Sequence, residues 1–239
     1  MFPQQHQIET NLARVRERID AAAQRSGRAG GDVTLVGVTK YVTPDRAAAL
    51  YAAGCPDLGE SRPQALWEKV AWFAEHGDGS LADVRWHLIG HLQRNKAHRT
   101  VPLVAWIHSA DSARIVAAIH EAATAERPAR VLLEVNISGD ATKHGWPTGE
   151  LQAFVPRLAE FPHVRVCGLM TMAALEGGTE RARQDFRALR VLRDRLVPLC
   201  PPGVELAELS MGMSGDFEVA IEEGATIVRI GSALFEGCL

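Results

Sequence analysis

The chain has four cysteines in 239 residues, Cys55, Cys167, Cys200 and Cys238, and no two of them form a C-x-x-C pair. That spacing argues against a structural zinc site and a disulfide framework, and leaves the thiols as packing residues. An excess of positive charge is also missing. With 26 basic residues against 29 acidic ones the formal charge is -3, so nucleic acid is not an expected partner. No apolar run approaches the roughly 20 residues needed to cross a bilayer. The polar opening Met1-Phe-Pro-Gln-Gln-His-Gln7 lacks the apolar core of a signal peptide, so the expected address is the cytosol, with no membrane partner. Histidine is more plentiful, and His87 and His91 stand four apart. That spacing suits zinc only on a helix, and Leu88-Ile-Gly90 between them reads as a strand end and a turn, so no metal site is expected.

Helical and extended patterns alternate from end to end, with no low-complexity linker between them. An amphipathic helix is predicted over 7–25, where Ile8, Leu12, Val15 and Ile19 recur every three or four residues. Strands are predicted over 33–39, 56–58, 85–89, 104–108, 130–137, 164–170, 205–210 and 226–230. Helices are predicted over 44–53, 62–75, 112–125, 148–160, 179–197 and 216–223, with Thr43, Asp111 and Ser214 marking starts. This order fits a single (β/α)8 TIM barrel over 1–239 with an extra N-terminal helix; a doubly wound open sheet is the structural alternative.

In such a barrel the chemistry sits at the carboxyl ends of the strands. Lys40, Ser61, His87, Asn136 to Ser138, Met170, Ser210 to Asp216, and Arg229 to Ser232 all fall there. A lysine at a dry barrel mouth has its ammonium form disfavoured, leaving free amine to condense with an aldehyde. Ser210-Met-Gly-Met-Ser-Gly-Asp216 and Ile230-Gly-Ser-Ala233 are small-residue turns whose N–H groups and hydroxyls could share one phosphate. A lysine beside a phosphate cradle suggests pyridoxal 5′-phosphate. Arg229, two residues before Gly231, is expected to point inward, where its charge would oppose protonation of a pyridine nitrogen. Gly212-Met-Ser-Gly215 resembles a hydrolase elbow, but its second glycine comes one residue early and no triad accompanies it.

Taken together, Val36-Gly-Val-Thr-Lys40, Leu58-Gly-Glu-Ser61, Trp86-His-Leu-Ile-Gly-His-Leu-Gln-Arg-Asn-Lys96, His108-Ser-Ala-Asp111, Glu134-Val-Asn-Ile-Ser138, Gly168-Leu-Met-Thr171, Leu209-Ser-Met-Gly-Met-Ser214 and Val228-Arg-Ile-Gly-Ser-Ala-Leu-Phe235 carry a resemblance over nearly the whole chain. They resemble the YggS/PROSC group of pyridoxal-phosphate-binding, vitamin B6 homeostasis proteins. The resemblance implies a barrel like the N-terminal domain of alanine racemase and a cofactor held as a Schiff base on Lys40. It implies Ser210, Met213, Ser214, Gly231 and Ser232 around the phosphate and Arg229 beside the pyridine nitrogen. With the strand-end residues Ser61, His87 and Met170 these form the expected cofactor-binding set, with no catalytic residue. The implied role is a cofactor carrier or regulator with no established turnover of its own; the expected state is a monomer, and the expected partners are pyridoxal-phosphate-dependent apoenzymes. Two departures stand out: Ser61 where asparagine is common, and His91 where proline is usual.

The enzyme alternative is an amino-acid racemase, which needs a second proton carrier on the face opposite the lysine. Alanine racemases supply it as a tyrosine from an additional domain and a partner subunit, and no such domain is expected after the last barrel strand. Only Tyr41 and Tyr51 are present; Tyr51 falls in a helix, and Tyr41 is expected to project away from Lys40. A scaffold role would draw on the five tryptophans, although tryptophans in helices and strands pack cores. The basic segment 94–99 reads as a solvated helix face, and Lys143 as either solvated or near the ligand.

Overall fold

The alternation of side chains along eight short strands divides the apolar residues into two sets. In the computed structural model, which describes residues 4–77, 79, 81, 83–140, 144–174 and 176–238, these strands close into a parallel barrel. They are β1 (Thr34–Val38), β2 (Asp57–Glu60), β3 (Arg85–Leu88), β4 (Trp106–Ala110), β5 (Ala129–Glu134), β6 (Val164–Met170), β7 (Glu208–Ser210) and β8 (Ile227–Ile230). Each pairs with its neighbour in sequence, and β8 returns to β1 with Val36 opposite Arg229. The open-sheet alternative is therefore excluded.

One set of residues faces the helices: Leu58, Leu88, Ile107, Val131, Leu133, Leu209, Val228 and Ile230 belong to the main core. The other set fills the barrel, where Val36, Trp106, Leu132, Cys167, Met170 and Ile227 pack together. Period-two alternation produces this division.

The outer layer consists of α1 (Gln5–Arg25), α2 (Pro44–Ala52), α3 (Pro63–His76), α4 (Ala97–Thr100), α5 (Ala113–Ala122), α6 (Thr148–Phe154), α7 (Gly178–Leu196) and α8 (Phe217–Glu222). The apolar stripe of α1 is buried against α8 and α2. Asn11 on that helix donates to the carbonyls of Leu234 and Glu236 at 3.2 and 2.9 Å, holding the segment that follows β8. The leading helix thus braces a loop of the barrel mouth.

Several boundaries differ from expectation. Strand β5 stops at Glu134, short of 137, because the Asn136 carboxamide accepts from Gly139 N–H and Ser138 Oγ and turns the chain away. The helix predicted over 148–160 becomes tighter 3-10 turns from Val155 onward, where Pro156 lacks an N–H to continue the ladder. Between β3 and β4 lies only the single turn α4, flanked by 3-10 turns. Arg99 there lies over the Trp67 ring at 4.0 Å, so part of the basic segment packs as well as being solvated. Among the described residues no helix is long and apolar enough to cross a membrane.

Candidate functional site

A cavity of about 480 Å3 opens at the carboxyl ends of the strands. Seven of the ten expected cofactor residues line it: Lys40, Ser61, Met213, Ser214, Arg229, Gly231 and Ser232. They come from loops after β1, β2 and β7, from β8 itself, and from the turn after it. The two small-residue turns meet, with Gly231 N–H donating to Ser214 Oγ at 3.3 Å. Ser214 therefore bridges the two loops and is not the cap of α8. That position belongs to Asp216, whose carboxylate accepts Met213 N–H at 2.6 Å and folds the turn. Similarly, Ser112 and not Asp111 is the residue at the start of α5.

His87, Met170 and Ser210 do not line the cavity. All three point inward, as strand parity requires, but they sit one layer lower, 1, 0 and 0% exposed. Met170 is part of the apolar filling of the barrel. The other two belong to a polar line that crosses the interior. His87 Nε2 lies 3.0 Å from Asp57 Oδ1, His87 Nδ1 2.9 Å from His108 Nε2, and His108 Nδ1 2.9 Å from Ser210 Oγ.

The protons on this line can be placed by elimination. Burial lowers the pKa of His87 and, more strongly, that of His108, so both imidazoles are neutral and each donates once. Asp57 has its pKa lowered overall: burial works against this, and hydrogen bonds from His87 and Arg85 outweigh it. Asp57 therefore accepts from His87 Nε2–H, His87 Nδ1 accepts from His108, and His108 Nδ1 accepts from Ser210 O–H. Ser210 in turn accepts from Arg229 Nη1. Every donor points from the cavity floor toward Asp57, and the line sets the position of Arg229. Its second amino group donates to Thr171 O at 3.0 Å.

Arg229 carries its charge into a fully buried position, and burial brings its pKa down to about 10, against the pull of Glu134 and Asp216. It remains a cation at neutral pH. Glu134 lines the same cavity, pushed up to about 7 by burial and by the nearby Asp111 charge, against the pull of Arg229. The folded state thus holds this proton more tightly than the unfolded chain does. Stability contributed at Glu134 is greatest below its ordinary range near 4.5 and is lost as pH rises to about 7. Glu134→Gln removes the titration, so its stability relative to the parent is expected to improve by about 3 kcal/mol between pH 4 and pH 8. Urea unfolding at both pH values checks this; equal differences would contradict it.

Two features of the site run against or beyond the sequence reading. Tyr41 does not project away: Lys40 Nζ lies 4.9 Å from its ring centroid, and both line the cavity. Strand alternation no longer governs these residues, because β1 ends at Val38 and Val42 N–H turns back to Thr39 O. Tyr51 lies on α2 as expected. Directly behind Lys40 and Ser61, Glu60 on β2 pairs with Lys69 on α3, both buried. Lys69 also donates to Thr39 O at 2.6 Å, and Thr39 Oγ1 donates to Glu60 at 2.9 Å. This network was missed in the sequence. The available signal was Lys69 on the apolar stripe between Leu66 and Phe73. Lys143 lies outside the described residues.

With this geometry in view, known proteins supply the frame. Residues 8–237 match the alanine racemase N-terminal domain. A pyridoxal phosphate homeostasis protein of Aquifex aeolicus (strain VF5) is 41% identical over 225 residues, covering 94% of this chain and 95% of the relative. The chain belongs to the pyridoxal phosphate homeostasis protein family. PipY, the COG0325 family member of Synechococcus elongatus PCC7942, solved with PLP bound, superposes with a TM-score of 0.82 at 33% identity, over 95% of this chain and 99% of PipY. The barrel itself recurs more widely. Alanine racemase of Clostridium difficile 630 gives a TM-score of 0.70 at 15% identity, over 95% of this chain and 56% of that enzyme, a likeness of fold alone.

Proposed function

We propose that this protein binds pyridoxal 5′-phosphate at the barrel mouth, carried covalently on Lys40, and serves the homeostasis of the cofactor as a carrier or regulator. The observation that carries the reading is the meeting, in one cavity, of the Lys40 amine with the turns at Met213–Gly215 and Gly231–Ser232. The cofactor brings an aldehyde that reacts with an amine and a phosphate that accepts hydrogen bonds. The residues present fit both. A Cβ added at Gly215 would stand in open space, so the turn leaves room beside its backbone for an anion. Ser214 and Ser232 add hydroxyls, and Ser61 after β2 adds a third. Arg229, fixed from below by Ser210, would place a cation beside the cofactor's ring nitrogen and oppose its protonation. That arrangement suits holding the cofactor better than using it as an electron sink. His87, Met170 and Ser210 lie beneath the cavity, where they support its floor. The proposal extends to a cytosolic setting and to pyridoxal-phosphate-dependent apoenzymes as recipients.

Lys40→Ala tests the reading. The parent is expected to develop a visible absorbance band on addition of pyridoxal phosphate, and the variant to lose the band and bind at least about 100-fold more weakly. A variant that binds and absorbs like the parent would overturn it.

One observation favours a racemase as the second reading: Tyr41 places a phenol at the cavity, beside the lysine. Two-base chemistry needs the second proton carrier on the far face, and the ring's position next to Lys40 Nζ does not meet that need. Stereoinversion of an amino acid by the parent that disappears in Tyr41→Phe would promote this reading.

A further inference from the structure

Three residues from three successive strand ends converge on the rim of the barrel. His91 follows β3, Asp111 follows β4, and His144 lies in the chain after β5. His91 Nδ1 lies 2.9 Å and His144 Nδ1 3.9 Å from the same oxygen, Asp111 Oδ2. The two imidazoles stack with centroids 4.4 Å apart and planes 17° from parallel. One donor atom from each of the three lies within 4.8 Å of the other two. Tetrahedral zinc with bonds near 2.0–2.1 Å sets its ligand atoms about 3.3–3.4 Å apart, so of the two edges to Asp111 one is slightly short and one slightly long, and the edge between the imidazoles is within 4.8 Å. Small turns of two exposed imidazoles would correct both.

The scaffold around the three is fixed, although the rings are free to turn. The Asp111 side chain, 8% exposed, accepts Ser112 Oγ on its other oxygen at 3.1 Å. Gly90 O, next to His91, accepts Ser109 Oγ at 2.7 Å. Beyond His144, Gly145 takes a φ of +113°, and Trp146 N–H donates to Glu134 O at 2.7 Å. Trp146 Nε1 donates to Ala110 O at 2.8 Å, tying the His144 segment to the strand that carries Asp111. The imidazole side chains are 41 and 64% exposed, which leaves them accessible.

We infer that His91, Asp111 and His144 form a binding site for a divalent transition-metal ion of the zinc type. Two imidazoles and one carboxylate suit a borderline metal better than calcium or magnesium, which prefer oxygen. Three protein ligands leave a fourth position open. His91 and His144 also line the main cavity, and all three ligands line a second hollow on the outer side, so the metal would sit in the wall between the two. Arg94 and Arg114 face that outer hollow. Their charge favours water or an anionic donor as the fourth ligand over a second cation. His87 is buried and held by Asp57 and His108 inside the barrel, away from this cluster. His91 finds its partners 20 and 53 positions further on, where no motif would show them.

Chelator-treated full-length protein, free of pyridoxal phosphate, tests this by calorimetric titration with zinc and by the visible spectrum with cobalt. One equivalent is expected to bind, with a cobalt spectrum free of thiolate charge transfer. His91→Gln, Asp111→Asn and His144→Gln should each weaken binding by about ten-fold or more, while His120→Gln, at a histidine pair elsewhere on the barrel, should titrate like the parent. Unchanged melting temperatures would show that the variants fold. No saturable equivalent in the parent, parent-like binding in the three rim variants, or thiolate ligation of cobalt would each overturn the inference.

Discussion

Lys69→Met is expected to lower the unfolding free energy by about 3–5 kcal/mol. The change removes one partner from a pair in which Lys69 is 5% and Glu60 0% exposed. A carboxylate would then be left without its counter-ion, and Thr39 O would lose a donor. The loss comes mostly from the stranded charge and much less from the packing of the lysine stem, since methionine refills the stem's volume. Glu60→Met combined with Lys69→Met should therefore recover most of the stability. A urea series on the parent, the single variant and the double variant measures this. A single variant within about 1 kcal/mol of the parent would contradict the account. The functional link follows from position. Thr39 and Glu60 immediately precede Lys40 and Ser61, so the single variant should also weaken cofactor uptake.

Arg229→Gln should be destabilising, and more so by about 1.4 kcal/mol at pH 8 than at pH 5. At pH 8 the parent ionises Glu134 with the help of Arg229, which pulls its pKa down, whereas the variant holds the Glu134 proton against burial and the Asp111 charge. At pH 5 Glu134 is protonated and the deficit shrinks. The remaining loss reflects the hydrogen bonds to Ser210 Oγ and Thr171 O. A deficit that is the same at both pH values would separate Arg229 from Glu134 and contradict the electrostatic part of the account. Affinity for pyridoxal phosphate should fall in the same variant, since the polar line that begins at Asp57 would no longer end in a fixed cation.

The strands were legible because burial on both faces requires short β-branched or apolar runs, and 164–170 was read without error at either end. The strand ends were less so: β7 keeps only Glu208–Ser210 of the six residues predicted. Lys40, Arg229 and the two small-residue turns could be read because each is a local pattern at a strand end. His87, Met170 and Ser210 were read at the right ends and with the right inward direction, but depth depends on side-chain length and partners. Arg229 reaches the cavity with a long side chain, whereas Ser210 is short, and His87 is engaged through both nitrogens with Asp57 and His108. The Glu60 and Lys69 pair and the cluster at His91 were hidden for a different reason. Their members lie on different elements, and only barrel closure brings them together.

The central claim is that Lys40 carries the cofactor, and the most direct measurement is borohydride reduction of the protein loaded with pyridoxal phosphate, followed by peptide mapping with mass spectrometry. The account predicts a single stoichiometric phosphopyridoxyl label on the peptide containing Lys40. A label spread over surface lysines, or centred on any other lysine, would contradict it.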